Sequence, residues 1–134
     1  MVQGALPMQW RKFGERYSLK GNSCETCGES FFPAVALCST CRRKGKLVEL
    51  EMPKTGKILS FTEVHVGPTG FDKETPYFIA LIELDNKSKV LAQLVDSESS
   101  KIKIGARVKK MFRKIQVTGD TGTIAYGYKF KIVK

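Results

Sequence analysis

The chain has 134 residues, 42% of them hydrophobic and 27% charged, and its 23 Lys and Arg against 13 Asp and Glu give a net charge of +10. No apolar run approaches the roughly eighteen residues that a membrane-crossing helix needs, and the hydrophobic content is that of a globular chain. The basic excess favours a polyanionic partner, whether nucleic acid, a nucleotide-like cofactor or an acidic protein surface, although lysine-rich surfaces that serve only solubility give the same balance.

Met1 to Pro7 lacks a charged and hydrophobic leader, which gives the expectation of a cytoplasmic protein. Trp10, Phe13 and Tyr17 then follow at the i, i+3, i+7 spacing of one helix face, so a short helix is expected over 9–17, weakened by Gly14. Such a stripe serves either as packing or as anchors in another subunit, where Trp and Tyr are favoured.

Cys24-Glu25-Thr26-Cys27 and Cys38-Ser39-Thr40-Cys41 use all 4 cysteines of the chain. Two residues between paired cysteines allow a tight knuckle with both sulfurs aimed at one ion, and two knuckles supply the four ligands of a closed, structural zinc site. Cys24, Cys27, Cys38 and Cys41 are therefore the candidate metal ligands. Two disulfides or a redox CxxC are the alternatives, the former requiring an oxidising compartment, and iron would take the same ligands. Glu29 to Pro33 reads as a short extended piece, since Pro33 biases Phe32 away from helix. Leu47 to Met52 reads as the last ribbon strand, and Pro53-Lys54-Thr55-Gly56 breaks the chain.

From Lys57 onward the pattern is all-β. Strands are expected over 58–66, 77–84, 89–95, 107–115 and 124–133, with turns at Asp85-Asn86-Lys87-Ser88 and at Gly119-Asp120-Thr121-Gly122. Five strands without a long helix suit a small closed barrel of the OB type. The fold class expected is thus mainly β: an N-terminal helical segment over 1–20, a rubredoxin-like zinc ribbon over 21–54, and a five-stranded OB-fold barrel over 55–134.

His65 is the single histidine and reads as a packed or surface residue with no acidic partner nearby; neither a catalytic triad nor a Walker or Rossmann glycine loop is marked. Lys101, Lys103, Arg107, Lys109, Lys110, Arg113 and Lys114 fall in one stretch without an acid, and Arg42, Arg43, Lys44 and Lys46 follow the second knuckle. On a strand Arg107, Lys109, Met111 and Arg113 share one face. The reading is either a phosphate-facing patch or a solvated edge protected by lysines. Phe61, Tyr77, Phe78, Tyr126 and Tyr128 could furnish a base-stacking platform, which makes an RNA- or ssDNA-binding protein the competing reading.

Tyr17-Ser18-Leu19-Lys20-Gly21 before the first knuckle, Phe32-Pro33 between knuckles, Gly56 to Thr62 opening the barrel, Pro76-Tyr77 and Ile104-Gly105 together resemble the acyl-CoA-associated zinc-ribbon and OB-fold family, long catalogued as a domain of unknown function. The resemblance runs from about Trp10 to Ile132. It implies a non-catalytic partner of thiolase-fold enzymes, similar to the archaeal component that joins acetoacetyl-CoA thiolase to HMG-CoA synthase at the head of the mevalonate route to isoprenoids. It further implies a hetero-oligomer without nucleic acid or membrane, structural Zn2+, and CoA at a shared interface. The basic candidates for CoA are Arg42, Arg43, Lys44 and Arg113. Family members often carry Pro-Arg after the Phe-Pro element; here Ala34-Val35 stand there, so no basic contact is carried over from that position.

Overall fold

The computed structural model describes residues 6–69, 71, 73–117 and 124–133. In chain order the elements are α1 (Leu6–Arg11), α2 (Phe13–Ser18), β1 (Lys20–Cys24), β2 (Ser30–Phe31), β3 (Leu47–Glu51), β4 (Thr55–Val64), β5 (Tyr77–Leu84), β6 (Lys89–Leu94), β7 (Arg107–Val117) and β8 (Ile124–Ile132). The expected N-terminal helix is two helices, interrupted at Lys12 (φ −94°, ψ 2°). The α2 helix stops at Leu19, whose left-handed backbone (φ 51°, ψ 47°) is offset by complete burial of its side chain.

The first sheet has the order β2-β1-β3, with β1 antiparallel to both neighbours. The second is a closed barrel, β4-β5-β6-β8-β7, as an OB-fold requires. Strand β4 closes it against β7 only over Thr55–Lys57, and β6 meets β8 in a parallel bridge at Leu94 and Phe130. Alternation selects the core. Ala80, Ile82 and Leu84 of β5 and Val90, Ala92 and Leu94 of β6 point inward with Ile58, Val108 and Phe130, while Leu91 faces water. Strand β4 begins at Thr55 and ends at Val64, so His65 and Val66 lie in a bend beyond the strand expected for them. The turn expected at 119–122 lies outside the described residues.

The ribbon sheet and the barrel share one core. Leu19 and Met52 pack with Ile58, Val108 and Phe130, and the Met52 N–H donates to the Leu19 carbonyl at 2.9 Å. Phe32 meets Tyr128 edge to face at 5.7 Å, and the Lys110 N–H donates to Lys54 at 2.7 Å. Lys110 also reaches across with its Nζ to the Tyr17 carbonyl at the end of α2, and burial there, followed by the Lys54 charge, lowers its pKa.

Barrel closure is braced by Asp85, which accepts from Arg107 Nη1 at 2.8 Å and from the Thr55 hydroxyl. The Arg107 hydrogen bond, then that of Thr55, holds the Asp85 carboxyl below its ordinary 3.8. The folded chain therefore binds fewer protons here than the unfolded chain as the pH falls through that range. The contribution is complete above pH 3.8 and is lost as the pH drops through the depressed folded value. Acid titration of the thermal midpoint should show this loss for the native chain and a smaller one for Arg107→Ala; equal slopes would remove the brace from the account. The exposure of the pair keeps the effect modest.

Candidate metal centre and surrounding surfaces

Cys24 is the last residue of β1, so the first knuckle grows directly out of the sheet. Its N–H donates to the Glu29 carbonyl and its carbonyl accepts from the Gly28 N–H, both at 2.8 Å. The second knuckle closes when the Arg42 N–H donates to Cys38 at 2.9 Å, with Arg42 in the left-handed region at φ 53° where the first knuckle has Gly28 at φ 80°. The two knuckles brace each other. The Glu25 N–H donates to Lys46 at 2.9 Å, and the Glu29 carboxylate accepts from Ser39 Oγ at 3.3 Å and Thr40 Oγ1 at 3.2 Å.

This brings the Sγ atoms of Cys24, Cys27, Cys38 and Cys41 within 4.8 Å of one another, Cys27 and Cys38 being 3.5 Å apart. A regular tetrahedron with metal–sulfur bonds of about 2.3 Å has sulfurs roughly 3.8 Å apart, so the donor set fits one ion of that size. All are free cysteines, and a disulfide would need about 2.05 Å. The electrostatics agree with the geometry. The Cys24 pKa is lowered to about 6, first by the backbone N–H of Cys27, whereas that of Cys41 is pushed up to about 12, first by its contact with the Cys27 sulfur. Without a cation the cluster favours the thiolate of Cys24 and disfavours those of Cys27 and Cys41, a cost that a divalent ion would offset.

Gly45 completes the cradle. A Cβ there would stand 2.9 Å from the Cys41 Cβ and 3.0 Å from the Cys24 sulfur. Gly45→Ala should therefore spread the sulfurs and weaken zinc retention on the order of ten- to a hundredfold, as changes just outside a ligand set do. Competition with a chromogenic chelator measures this, and unchanged retention would show that the loop yields freely.

The basic candidates do not converge. Arg42, Arg43 and Lys44 are exposed beside the second knuckle, whereas Arg113 lies on β7, paired with Asp96, at the rim of a cleft of about 620 Å³. The arginines of the expected bare strand face also carry partners, Arg107 with Asp85 and Arg113 with Asp96, and Lys101 pairs with Glu98 at 3.1 Å. Acids outside the stretch, two of them distant in sequence, thus answer a stretch that contains none. His65 does have an acidic neighbour, Glu63 Oε2 at 3.6 Å from Nε2, correcting the expectation of none; it remains a surface residue.

Inside the 620 Å³ cleft sequence reasoning missed an ion pair between a buried lysine and a half-buried carboxylate. Lys129 is 4% exposed, and its Nζ lies 3.2 Å from the Glu74 carboxylate, which also accepts from Gln93 Nε2 at 3.1 Å. Nothing local distinguishes Lys129 from the solvent-facing lysines around it. The expected stacking platform is dispersed: Tyr77 is buried, Phe78 and Tyr128 are half-buried, and the exposed Phe61 and Tyr126 stand on β4 and β8, which are not neighbours. Burial first, then the Glu15 charge, raises the Tyr128 pKa.

Among the described residues no helix is long and apolar enough to cross a membrane. Residues 11–47 match the rubredoxin-like zinc ribbon domain of ChsH2, and residues 49–113 match the C-terminal OB-fold domain of ChsH2. The chain is 42% identical over 93% of its length to a DUF35 domain-containing scaffold protein of Methanocaldococcus jannaschii, spanning 89% of that protein. It is 41% identical over 91% of its length to one of Methanothermobacter thermautotrophicus, spanning 92% of it. The benzoylsuccinyl-CoA thiolase subunit BbsA of Geobacter metallireducens is 29% identical over 84% of this chain and 73% of its own. In three dimensions the fold is similar to that of the Ltp2-ChsH2(DUF35) aldolase (TM-score 0.68, 22% identity, 97% of this chain and 98% of that one). With its ribbon and barrel matched in order and its relatives aligned nearly end to end, the chain belongs to the DUF35 family of zinc-ribbon and OB-fold proteins.

Proposed function

We propose that this chain is a non-catalytic scaffold that bridges acetoacetyl-CoA thiolase and HMG-CoA synthase and aids transfer of acetoacetyl-CoA between them in the mevalonate pathway. The observation that carries the reading is the near end-to-end similarity to scaffold proteins at 40% identity or more, joined to similarity with a thiolase subunit. Cys24, Cys27, Cys38 and Cys41 hold a structural zinc ion in this proposal, which keeps the ribbon of 21–54 rigid between the N-terminal segment of 1–20 and the barrel of 55–134. The ribbon and N-terminal segment contact one enzyme and the barrel the other, with CoA at their shared interface. Arg42, Arg43, Lys44 and Arg113 are its basic candidates, with Arg113 engaged by Asp96 in the isolated chain.

The chemistry gives such a bridge a purpose. The family's reaction sequence implies an uphill thiolase condensation, and passing its product directly to the synthase draws it forward. The basic surface supplies long-range attraction for large acidic enzymes or CoA phosphates. Tagged chain drawn from native extract should bring down both enzymes. Recovery of neither defeats the proposal, and retention of single-stranded RNA with a steep salt dependence would move the reading to nucleic-acid binding.

A further inference from the structure

We infer that the exposed apolar face formed by α1 and the adjoining edge of β7 and β8 is where this chain docks the thiolase of the assembly proposed above, on an apolar slot rimmed by carboxylates, so that the enzyme met by the N-terminal segment also touches this edge of the barrel; the inference rests on that reading.

The α1 helix has six residues and buries none of them. Helices shorter than about 12–15 residues are marginal in water unless packing holds them. Yet Leu6 and Trp10, one turn apart on the same side of α1, are 64% and 71% exposed, so α1 presents these apolar side chains outward. The adjoining surface continues in the same character. Phe13 stacks on Tyr17 at 4.8 Å, Tyr17 meets the edge of Phe112 at 5.0 Å, and Phe112 stacks on Tyr126 at 5.5 Å. The ladder ties α2 to the barrel, but Phe112 remains 53% exposed. Beside it a cleft of about 210 Å³ opens between the helices and β8, bounded by Leu6, Phe13, Ile124 and Tyr126. Contiguous exposed apolar surface with an aromatic centre marks an interaction site.

Charge excludes a second copy as the occupant, and similarity to a thiolase subunit favours the thiolase over the synthase. Arg11, Lys12 and Arg16 flank the face on the helices and Lys114 on β7, against the single acid Glu15 in the helical segment. A second copy would bring an identical basic rim on a chain of charge +10, so self-association through this face is opposed. A partner with carboxylates around an apolar slot satisfies both parts. Trp10 supplies the anchor, because it is the most exposed aromatic side chain of this face and α1 buries none of its residues.

Trp10 is the single tryptophan of the chain, so 5-hydroxytryptophan incorporated there can be excited to the red of the enzymes' own tryptophans. The labelled full chain is mixed with thiolase and synthase of the same organism, assembly is read by sedimentation and Trp10 exposure by acrylamide quenching. Quenching should fall several-fold with thiolase and stay constant when the chain alone is concentrated. Assembly with Trp10 still fully quenched overturns the docking face and leaves the scaffold reading intact, whereas no assembly overturns both. Protection in the chain alone would mean that a second copy covers the face, and protection by synthase alone would assign it to the other enzyme; both reject the inference. Trp10→Ala should keep the thermal midpoint and zinc content of the native chain while weakening thiolase binding on the order of thirtyfold, as loss of a central aromatic anchor does. Unchanged binding in that variant would reject the anchor.

Discussion

Cys24→Ser is expected to abolish stoichiometric zinc binding and to unfold the ribbon, the largest effect available from one substitution in this chain. Structural zinc contributes about 10–16 kcal/mol in zinc-finger peptides, as much as the whole stability of an ordinary domain. The ribbon has little to set against that loss: β2 has two residues, and the buried residues of this part are Leu19, Gly21, Asn22, Cys24, Cys38 and Met52. The damage should spread, because Leu19 and Met52 pack in the same cluster as Ile58 and Val108 of the barrel. Zinc released per chain, near-ultraviolet circular dichroism and the thermal midpoint report it together. A strong chelator should reproduce the effect on the native chain, and a metal-free Cys24→Ser protein with the native melting profile would overturn the structural role given to the ion.

Phe130→Ala is the second large effect. Phe130 is fully buried in the barrel, where it faces Lys110 on one side and bridges to Leu94 on the other. Its carbonyl also accepts the Val95 N–H at 2.8 Å, so the strand is pinned at the point where its ring enters the core. Removing a buried phenyl costs about 3–5 kcal/mol through lost transfer energy and the cavity left behind. For a chain of this size that lowers the midpoint by roughly 10–20 °C. Leu91→Ala, on the wet face of β6, should shift stability by less than about 0.5 kcal/mol. Equal losses at the two positions would contradict the alternation that defines the core.

The sequence discloses those features whose signal is local. The four cysteines announce their cluster through spacing, and the Asp85 to Ser88 turn announces itself through composition; both form as expected. Strand β1 escapes because Lys20-Gly21-Asn22-Ser23 lacks every usual strand former. It is a strand because β3 pairs with it along its whole length, and Gly21 is there because a Cβ would lie 2.1 Å from the Phe31 carbonyl oxygen. The helical aromatic stripe misleads in a related way. The interruption at Lys12 separates Trp10 from Phe13 and Tyr17, leaving one side chain to water and two in the ladder. The basic stretch of 101–114 similarly conceals its carboxylate partners, since Asp85 and Asp96 reach it only through barrel closure.

Asn22, within β1, donates from Nδ2 to the Val35 carbonyl at 2.7 Å and accepts from the Val35 N–H at 3.3 Å through Oδ1. Its amide thus does for Val35 what a neighbouring peptide group would do, gripping the segment after Pro33 as though by one more strand. The grip engages main chain alone, while Ala34, Val35, Ala36 and Leu37 are all exposed. The path of that segment is consequently independent of which side chains it displays, proline at 35 excepted because it would lose the N–H. The side chains at 34–37 can therefore be exchanged without moving the chain, so that this surface of the ribbon is chemically rewritable while its shape stays fixed.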